Sequence, residues 1–321
     1  MTLSSETAVR DYESRLILAW HHRRERKSSW GAPRVADAQY DELRPWSRVK
    51  HAIVREYIQA YSRVIAAQAN LRHVYVDAFA GSGMLENAET GEGSAGSPII
   101  ALDVKPPFHD YHFIELDERK ARILREHVGE RGTVHTGDCN EVLLQVALPL
   151  CQYKDFRRGF WLLDAYGMDY DWDVIAAAGA EPGVEVLLNC PIHDINRNAL
   201  WLDPSRLPPG RMERMRRFWG DDTWQEAAYE KQPRLFGGEP GYRKLGYGRM
   251  VRAYCDRLQR NAGFPFVVDP LLVRTPTRQP LYYLVFASHN ATGANIARDV
   301  FKKHASEAER GSLLEAEEDG C

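Results

Sequence analysis

The chain predicts a doubly wound α/β fold, and three observations predict it. From residue 73 onward, short apolar runs alternate with helical patterns. The first run ends in an acid followed by a glycine-containing turn, and the last two runs are joined by a link too short for a helix. Alternation of this kind means parallel strands with right-handed crossover helices. A short link means an antiparallel hairpin.

The elements follow in chain order. Asp11 to Trp30 holds LILAW and HHRRERK and reads as a solvated, partly frayed terminus, with a basic-ended amphipathic helix as the alternative. From Trp46 to Asn70, Val49, Ile53, Tyr57, Ile58, Tyr61 and Ile65 recur at helical spacing, so a long helix precedes the first strand. HVYVDAF (73–79), YHFIEL (111–116), TVHT (133–136), FWLLDAY (160–166) and VEVLLN (184–189) read as five strands. Helices are predicted near Pro98–Val104, Glu118–Val128, Glu141–Leu150 and Trp172–Ala178. A polar stretch of about 192–244 is expected to form an inserted helical cap, with helices at Arg211–Trp219 and Thr223–Glu230. A helix at Tyr247–Asn261 leads to FVVDPLLV (266–273) and LYYLVFAS (281–288), the final hairpin. The expected organisation is an N-terminal extension (1–45), one domain (46–305) and a disordered acidic tail (306–321).

Composition narrows the function classes. A 44% hydrophobic share supports a sizeable core, and a formal charge of −3 gives no bulk attraction to nucleic acid or anionic membrane. The five cysteines include no CxxC pair, which offers no metal site, and their odd number argues against a disulfide framework. No secretory h-region and no run of about 18 apolar residues occurs. The expectation is a reduced, cytoplasmic setting without a membrane.

VDAFAGSG (76–83) is the strongest local signal. In a doubly wound sheet this turn lies at the carboxyl end of the first strand, where ligands bind. Gly81 and Gly83 allow close backbone approach, with Phe79 and Ala80 beside them. Glu115 ends the second strand, where a carboxylate can accept from both ribose hydroxyls, and Leu116 follows it. Asp138, then Cys139, follow the third strand, where an adenine amine would lie, and Asp164 ends the fourth. Four acids, Asp77, Glu115, Asp138 and Asp164, thus end four consecutive strands. A helix cap or loop accounts for any one of them, but less well for four in register. The turn has neither GxGxxG form nor GK[ST], and Asp77 would repel a pyrophosphate. A cationic adenosyl ligand, S-adenosylmethionine, suits it.

Five parallel strands closed by an antiparallel hairpin is the layout of class I methyltransferases. WSRVKHAIVREYIQAY, YVDAFAGSG, GSPIIAL, FIELDERK, LLDAYG, LNCPIHDINRN, FWGDDTW and LYYLVFASHN, spread from about Asp41 to Val300, closely resemble the three-Cys-motif partner (TcmP) family. The resemblance implies a Rossmann-like class I methyltransferase fold, S-adenosylmethionine as cofactor and a separate three-cysteine partner protein. It implies no particular substrate. Two departures stand out. MLENAETGEGSAGSP makes an insertion beside the cofactor, and LLDAYG has Ala165 where proline commonly stands, so an amino-methyltransferase clamp is incomplete.

Ser97-Pro98 reads as an N-cap and first-turn proline, or else Gly93, Gly96 and Ser97 face the methionine carboxylate. Lys50 and His51 are candidates for that carboxylate or for the acceptor side. After the fifth strand, Asn189, His193, Asp194, Asn196 and Arg197 lie where acceptor-binding groups are expected. His193 is a candidate base with Asp194 orienting it, Tyr166 a stacking surface, and Cys190 an inert buried thiol. The expected function is methyl transfer to a small molecule, nucleotide or peptide. Alternatives are a nucleic-acid methyltransferase, suggested by RMERMRRFW and Arg243–Lys244, and a cofactor-binding scaffold without catalysis.

Overall fold

A computed structural model describes residues 41–87, 90–91, 93–201, 204–232 and 241–310. The amphipathic stretch proposed at 11–30 and the end of the acidic tail lie outside these residues. The chain begins with strand β1 (Asp41–Glu42) and helix α1 (Pro45–Ala66), whose proline opens the first turn, where a missing N–H costs nothing. Val49, Ile53, Tyr57, Ile58, Tyr61 and Ile65 are all buried, as their spacing requires.

Seven further strands build the main sheet before the last hairpin partner is added: β2 (Arg72–Asp77), β5 (Asp110–Glu115), β6 (Thr133–Thr136), β7 (Arg157–Leu163), β8 (Val184–Cys190), β11 (Phe266–Val267) and β12 (Leu271–Arg274). Strand β13 (Pro280–Ser288) completes it. The order is β11-β13-β8-β7-β2-β5-β6, with β12 also beside β13. Strands β6, β5, β2, β7 and β8 are mutually parallel, and β13 runs antiparallel to β8. The sequence-predicted α/β class is therefore observed. FVVDPLLV is broken into two short strands, because Pro270 has no N–H to give the ladder.

Side chains alternate across the sheet. Val74, Val76, Trp161 and Leu163 face one core with α5 (Trp172–Ala180), α7 (Pro209–Trp219) and α9 (Tyr247–Arg257). Tyr75, Phe160 and Leu162 face the other, against α1, α2 (Ser97–Leu102), α3 (Glu118–Val128) and α10 (Ala291–Arg310). Period-two alternation therefore turns Asp77 and Asp164 toward the α1 side.

Four boundaries differ from expectation. The insertion after β2 is ordered as a hairpin, β3 (Met84–Glu86) with β4 (Gly93–Ala95), and β1 adds a parallel third strand. The helix expected at 141–150 is α4 (Cys139–Val142) followed by wider and tighter turns around Pro149. The cap contains α6 (Ile192–Asn198), α7 and α8 (Trp224–Ala228), but is not wholly helical. Its residues 229–232 (β9) and 241–244 (β10) pair as an antiparallel ribbon. Finally, α10 continues to Arg310, past the expected domain end, because Ala308 is buried against the body.

Candidate functional site

The carboxyl ends of β2, β5, β6 and β7 lie at one sheet edge, since these strands are parallel and in register. The turn after β2 is fixed first. Gly81 has φ +60° and Gly83 φ +81°, a region that side-chain-bearing residues rarely adopt. A Cβ on Gly81 would also lie 2.6 Å from Asp41 Oδ2. The Gly96 N–H donates to Gly83 O (2.9 Å), pinning the turn to the start of α2, and Ala80 N donates to Ile114 O (2.9 Å). Ala80 is buried, and Phe79 packs half-buried on the core.

Asp77 is fully buried. Its carboxyl accepts from Phe79 N (3.3 Å), Tyr75 Oη (3.4 Å) and the Ser97 hydroxyl. Burial, with neighbouring Asp164, raises its pKa to about 7 against the pull of these donors and of Lys50. Ser97 is thereby corrected: Gly96 occupies the N-cap position, and the Ser97 hydroxyl serves Asp77 instead of capping α2.

Asp164 is held from both sides. Lys50 Nζ of α1 pairs with Oδ2, and Asn189 Nδ2 donates to Oδ1 (3.3 Å) and to Ala165 O (3.0 Å). Side-chain exposures of 13% for Lys50 and 15% for Asp164 place this ion pair largely out of water. Lys50 is therefore the counter-ion of Asp164. His51, next to it, is pushed down to about 3 by burial and then by Lys50 and Arg55, so it stays neutral near pH 7. The buried Asn189 Oδ1 has no hydrogen-bond partner among the described residues.

The other two acids are less buried. Glu115 turns one oxygen back to Asp117 N (2.8 Å), and the following Leu116 is 73% exposed at the edge. Asp117, not Glu115, caps α3, accepting from Arg119 N and Lys120 N. Asp138 caps α4 through Asn140 N (2.7 Å) and is exposed. The Cys139 thiol follows it at the first position of α4. It donates to Asp169 O (3.6 Å) inside the core, where burial raises its pKa to about 12.

Past the end of β7, Tyr166 is 83% exposed directly after Asp164 and Ala165. Asp194 does not serve as the orienter expected for His193. Its carboxylate accepts from Met168 N (3.3 Å) and Asn198 Nδ2, and pairs with Arg214 (3.4 Å), tying α6 and α7 to the 165–168 loop. His193 and Arg197 are exposed and Asn196 half-buried on α6. His193 and Arg197, four residues apart, share a face. Cys190 is buried and its pKa raised by desolvation, as expected of an inert thiol.

Two residues of this edge were not singled out in the sequence. Asp41 lies over Gly81, and Lys120 pairs with it (2.5 Å) while also standing near Glu115 and Asp117. The only sequence hint is that the family-like stretch begins near Asp41. Among the described residues, no group of three or more His, Cys, Asp or Glu is placed to hold a metal, and no helix is long and apolar enough to cross a membrane.

No family model matches the chain, and no curated protein matches it in sequence. Solved structures do show a likeness to the chain. A protein from Legionella pneumophila is 11% identical, with a TM-score of 0.49, over 83% of this chain and 94% of that one. A SAM-dependent methyltransferase from Aquifex aeolicus is 12% identical (TM-score 0.32; 77% and 98% covered). An S-adenosylmethionine-dependent methyltransferase from Mesorhizobium loti is 14% identical (TM-score 0.33; 71% and 97% covered).

Proposed function

We propose that the chain is an S-adenosylmethionine-dependent methyltransferase, with its site at the carboxyl edge of β2, β5, β6 and β7. The observation that carries this is the charge balance of the buried edge. Asp77 and Asp164 face one ammonium, Lys50, which Asp164 already holds. A carboxyl buried without its own counter-ion, beside a glycine turn at a strand end, fits a ligand that brings positive charge. A pyrophosphate would meet Asp77 instead of the donors it needs.

The residues present fit the adenosyl ligand. Asp77 and the amides of 79–83 would face its cationic end, Glu115 its ribose hydroxyls, and Leu116 and Asp138 its adenine. When bound, S-adenosylmethionine supplies an electrophilic methyl group. The chain does the remainder: it orients the two reactants and excludes water. Lys50 and Asn189 fix both oxygens of Asp164, whose carboxyl would face positive charge developing on the acceptor. Asn189 Oδ1, buried and unpaired, would accept from an N–H or O–H of that acceptor. Tyr166 presents a ring to a planar one.

The motif resemblance to the three-Cys-motif partner family supports this assignment, and with it we propose a three-cysteine protein as a partner. The test is calorimetry with S-adenosylmethionine, S-adenosylhomocysteine and NAD on the full chain and on Asp77→Asn and Glu115→Gln. Binding of the two adenosyl ligands, no binding of NAD, and at least tenfold loss in each folded variant are expected. Equal affinity in all three proteins, or none in the first, would overturn the assignment.

A further inference from the structure

Charge is unevenly distributed along the chain. Residues 192–252 carry twelve Arg and Lys against eight Asp and Glu, although the whole chain is at −3. Three of the cap's arginines are neutralised locally: Arg214 by Asp169 and Asp194, Arg216 by Glu213 and Asp222, Arg217 by Asp171. The ribbon shows a sharper division. Its register puts Glu230 opposite Arg243, and these two close on each other on one face. The other face carries Tyr229, Lys231, Tyr242 and Lys244. Neither lysine has a carboxylate partner among the described residues, and both are exposed beside a part-exposed Tyr242.

That second face joins the aromatic packing of the cap. Tyr229 is buried, its ring 5.9 Å from Tyr242 and 6.3 Å from Trp224, and its hydroxyl donates to Trp201 O (2.7 Å). Arg211 lies over the Trp201 ring at 5.4 Å, also without an acid among the described residues. Trp201 lies three residues past the end of α6, whose exposed face bears His193 and Arg197, and Asp194 ties α6 to the loop of Tyr166. Cations left unpaired and interleaved with aromatic rings thus run from the ribbon, through Trp201 and α6, to the exposed ring beside Asp164.

We propose that this track binds a single-stranded polynucleotide and delivers one of its bases to Asp164, which rests on the methyl-transfer assignment above. The chemistry matches both components of such a strand. Unpaired Lys and Arg take phosphates, and Tyr242 and Tyr166 offer rings on which bases stack regardless of sequence. A duplex fits less well, because its bases are already stacked on one another.

The experiment is fluorescence anisotropy with labelled oligonucleotides of about 20 nucleotides, in RNA and DNA arms, from about 50 to 200 mM NaCl. It uses the full chain, Lys231→Gln/Lys244→Gln, Arg197→Gln/Arg211→Gln, Tyr242→Ala, and Glu230→Gln/Arg243→Gln on the opposite face. Single strands of one or both kinds are expected to bind more tightly than duplex. Each inner-face double variant should flatten the slope of log K against log[NaCl] by about 1.4, roughly 0.7 per lost phosphate contact. Tyr242→Ala should weaken binding without changing the slope, and the opposite-face variant should bind as the parent does. No binding at low salt, or inner-face variants identical to the parent, would overturn the proposal. Calorimetry with S-adenosylhomocysteine on the same proteins separates the two assignments. Adenosyl binding without polynucleotide binding defeats this one alone, and the reverse defeats only the earlier one.

Discussion

Asp77 is a residue that the folded chain would be more stable without. Its pKa rises from an ordinary carboxylate value to about 7, so the folded state binds its proton more tightly than the unfolded state does. Its contribution to stability therefore falls as pH rises from about 4 to 7. Asp77→Asn keeps the shape and removes the charge. A melting temperature a few degrees above the parent's is expected at pH 8, with a smaller difference near pH 4, by calorimetric unfolding. The same proton opposes a cationic ligand. Affinity for S-adenosylmethionine should be level above pH 7.5 and fall toward tenfold per pH unit below 7 in the parent, and Asp77→Asn should lose this slope. Gly81 is constrained twice, by φ +60° and by Asp41. Gly81→Ala should cost about 1–3 kcal/mol in urea unfolding and abolish adenosyl binding. Most of these residues were legible in the sequence, because strand alternation and the turn after the first strand place them at one edge. The roles of Ser97 and Asp194 were not. A hydroxyl at a helix start caps in most settings, and only the buried Asp77 nearby draws this one away.

At the scale of elements, the three strands β1, β3 and β4 form a strap over the glycine turn, closed by Asp41 and Lys120. Side-chain exposures of 30% for Lys120 and 19% for Asp41 leave this pair partly hydrated, worth about 1 kcal/mol or less to stability. Its effect should be kinetic instead. Asp41→Asn and Lys120→Met are expected to release an adenosyl ligand several-fold faster in stopped-flow displacement, with a near-parental melting temperature. An unchanged off-rate would mean that the strap lies clear of the ligand. The sequence presented residues 84–98 as an insertion beside the cofactor, with no strand predicted in it. Its third strand comes from more than forty residues earlier, and pairing over that separation leaves no local periodicity to read. The ribbon in the cap was missed for a related reason. Residues 223–230 have helix-like composition, but the helix stops at Ala228 where Tyr229 is drawn into the Trp201 and Trp224 packing.

The whole molecule carries an acid-sensitive seam away from the site. His73 Nδ1 meets His109 Nδ1 at 2.9 Å, and His112 Nδ1 meets His135 Nε2 at 3.0 Å. In each pair one ring must donate and the other accept, so neither pair survives full protonation. Burial, and for His73 and His112 the partner ring, lowers all four, His73 to about 4. Below their ordinary pKa the unfolded chain takes up more protons, so their contribution is present above about 6.5 and is lost as pH falls. Asp77 and Glu185, both raised, act in the opposite direction over that range. The histidines outnumber them. The melting temperature should therefore drop between pH 7 and pH 5, and His112→Gln should reduce the drop; a flat profile would count against it.

The ammonium that steadies Asp164 comes from the first helix, yet that helix is moored by segments made long after the parallel strands. The Tyr282 hydroxyl donates to Trp46 O (3.3 Å), and Glu56 pairs with Lys303 and His304. A nascent chain would have all four strand-end acids in hand well before β13 and α10 arrive to seat Lys50 among them. Ligand capture should thus lag behind sheet formation during synthesis, and the crevice would first become competent only once β13 and α10 have folded back onto the first helix.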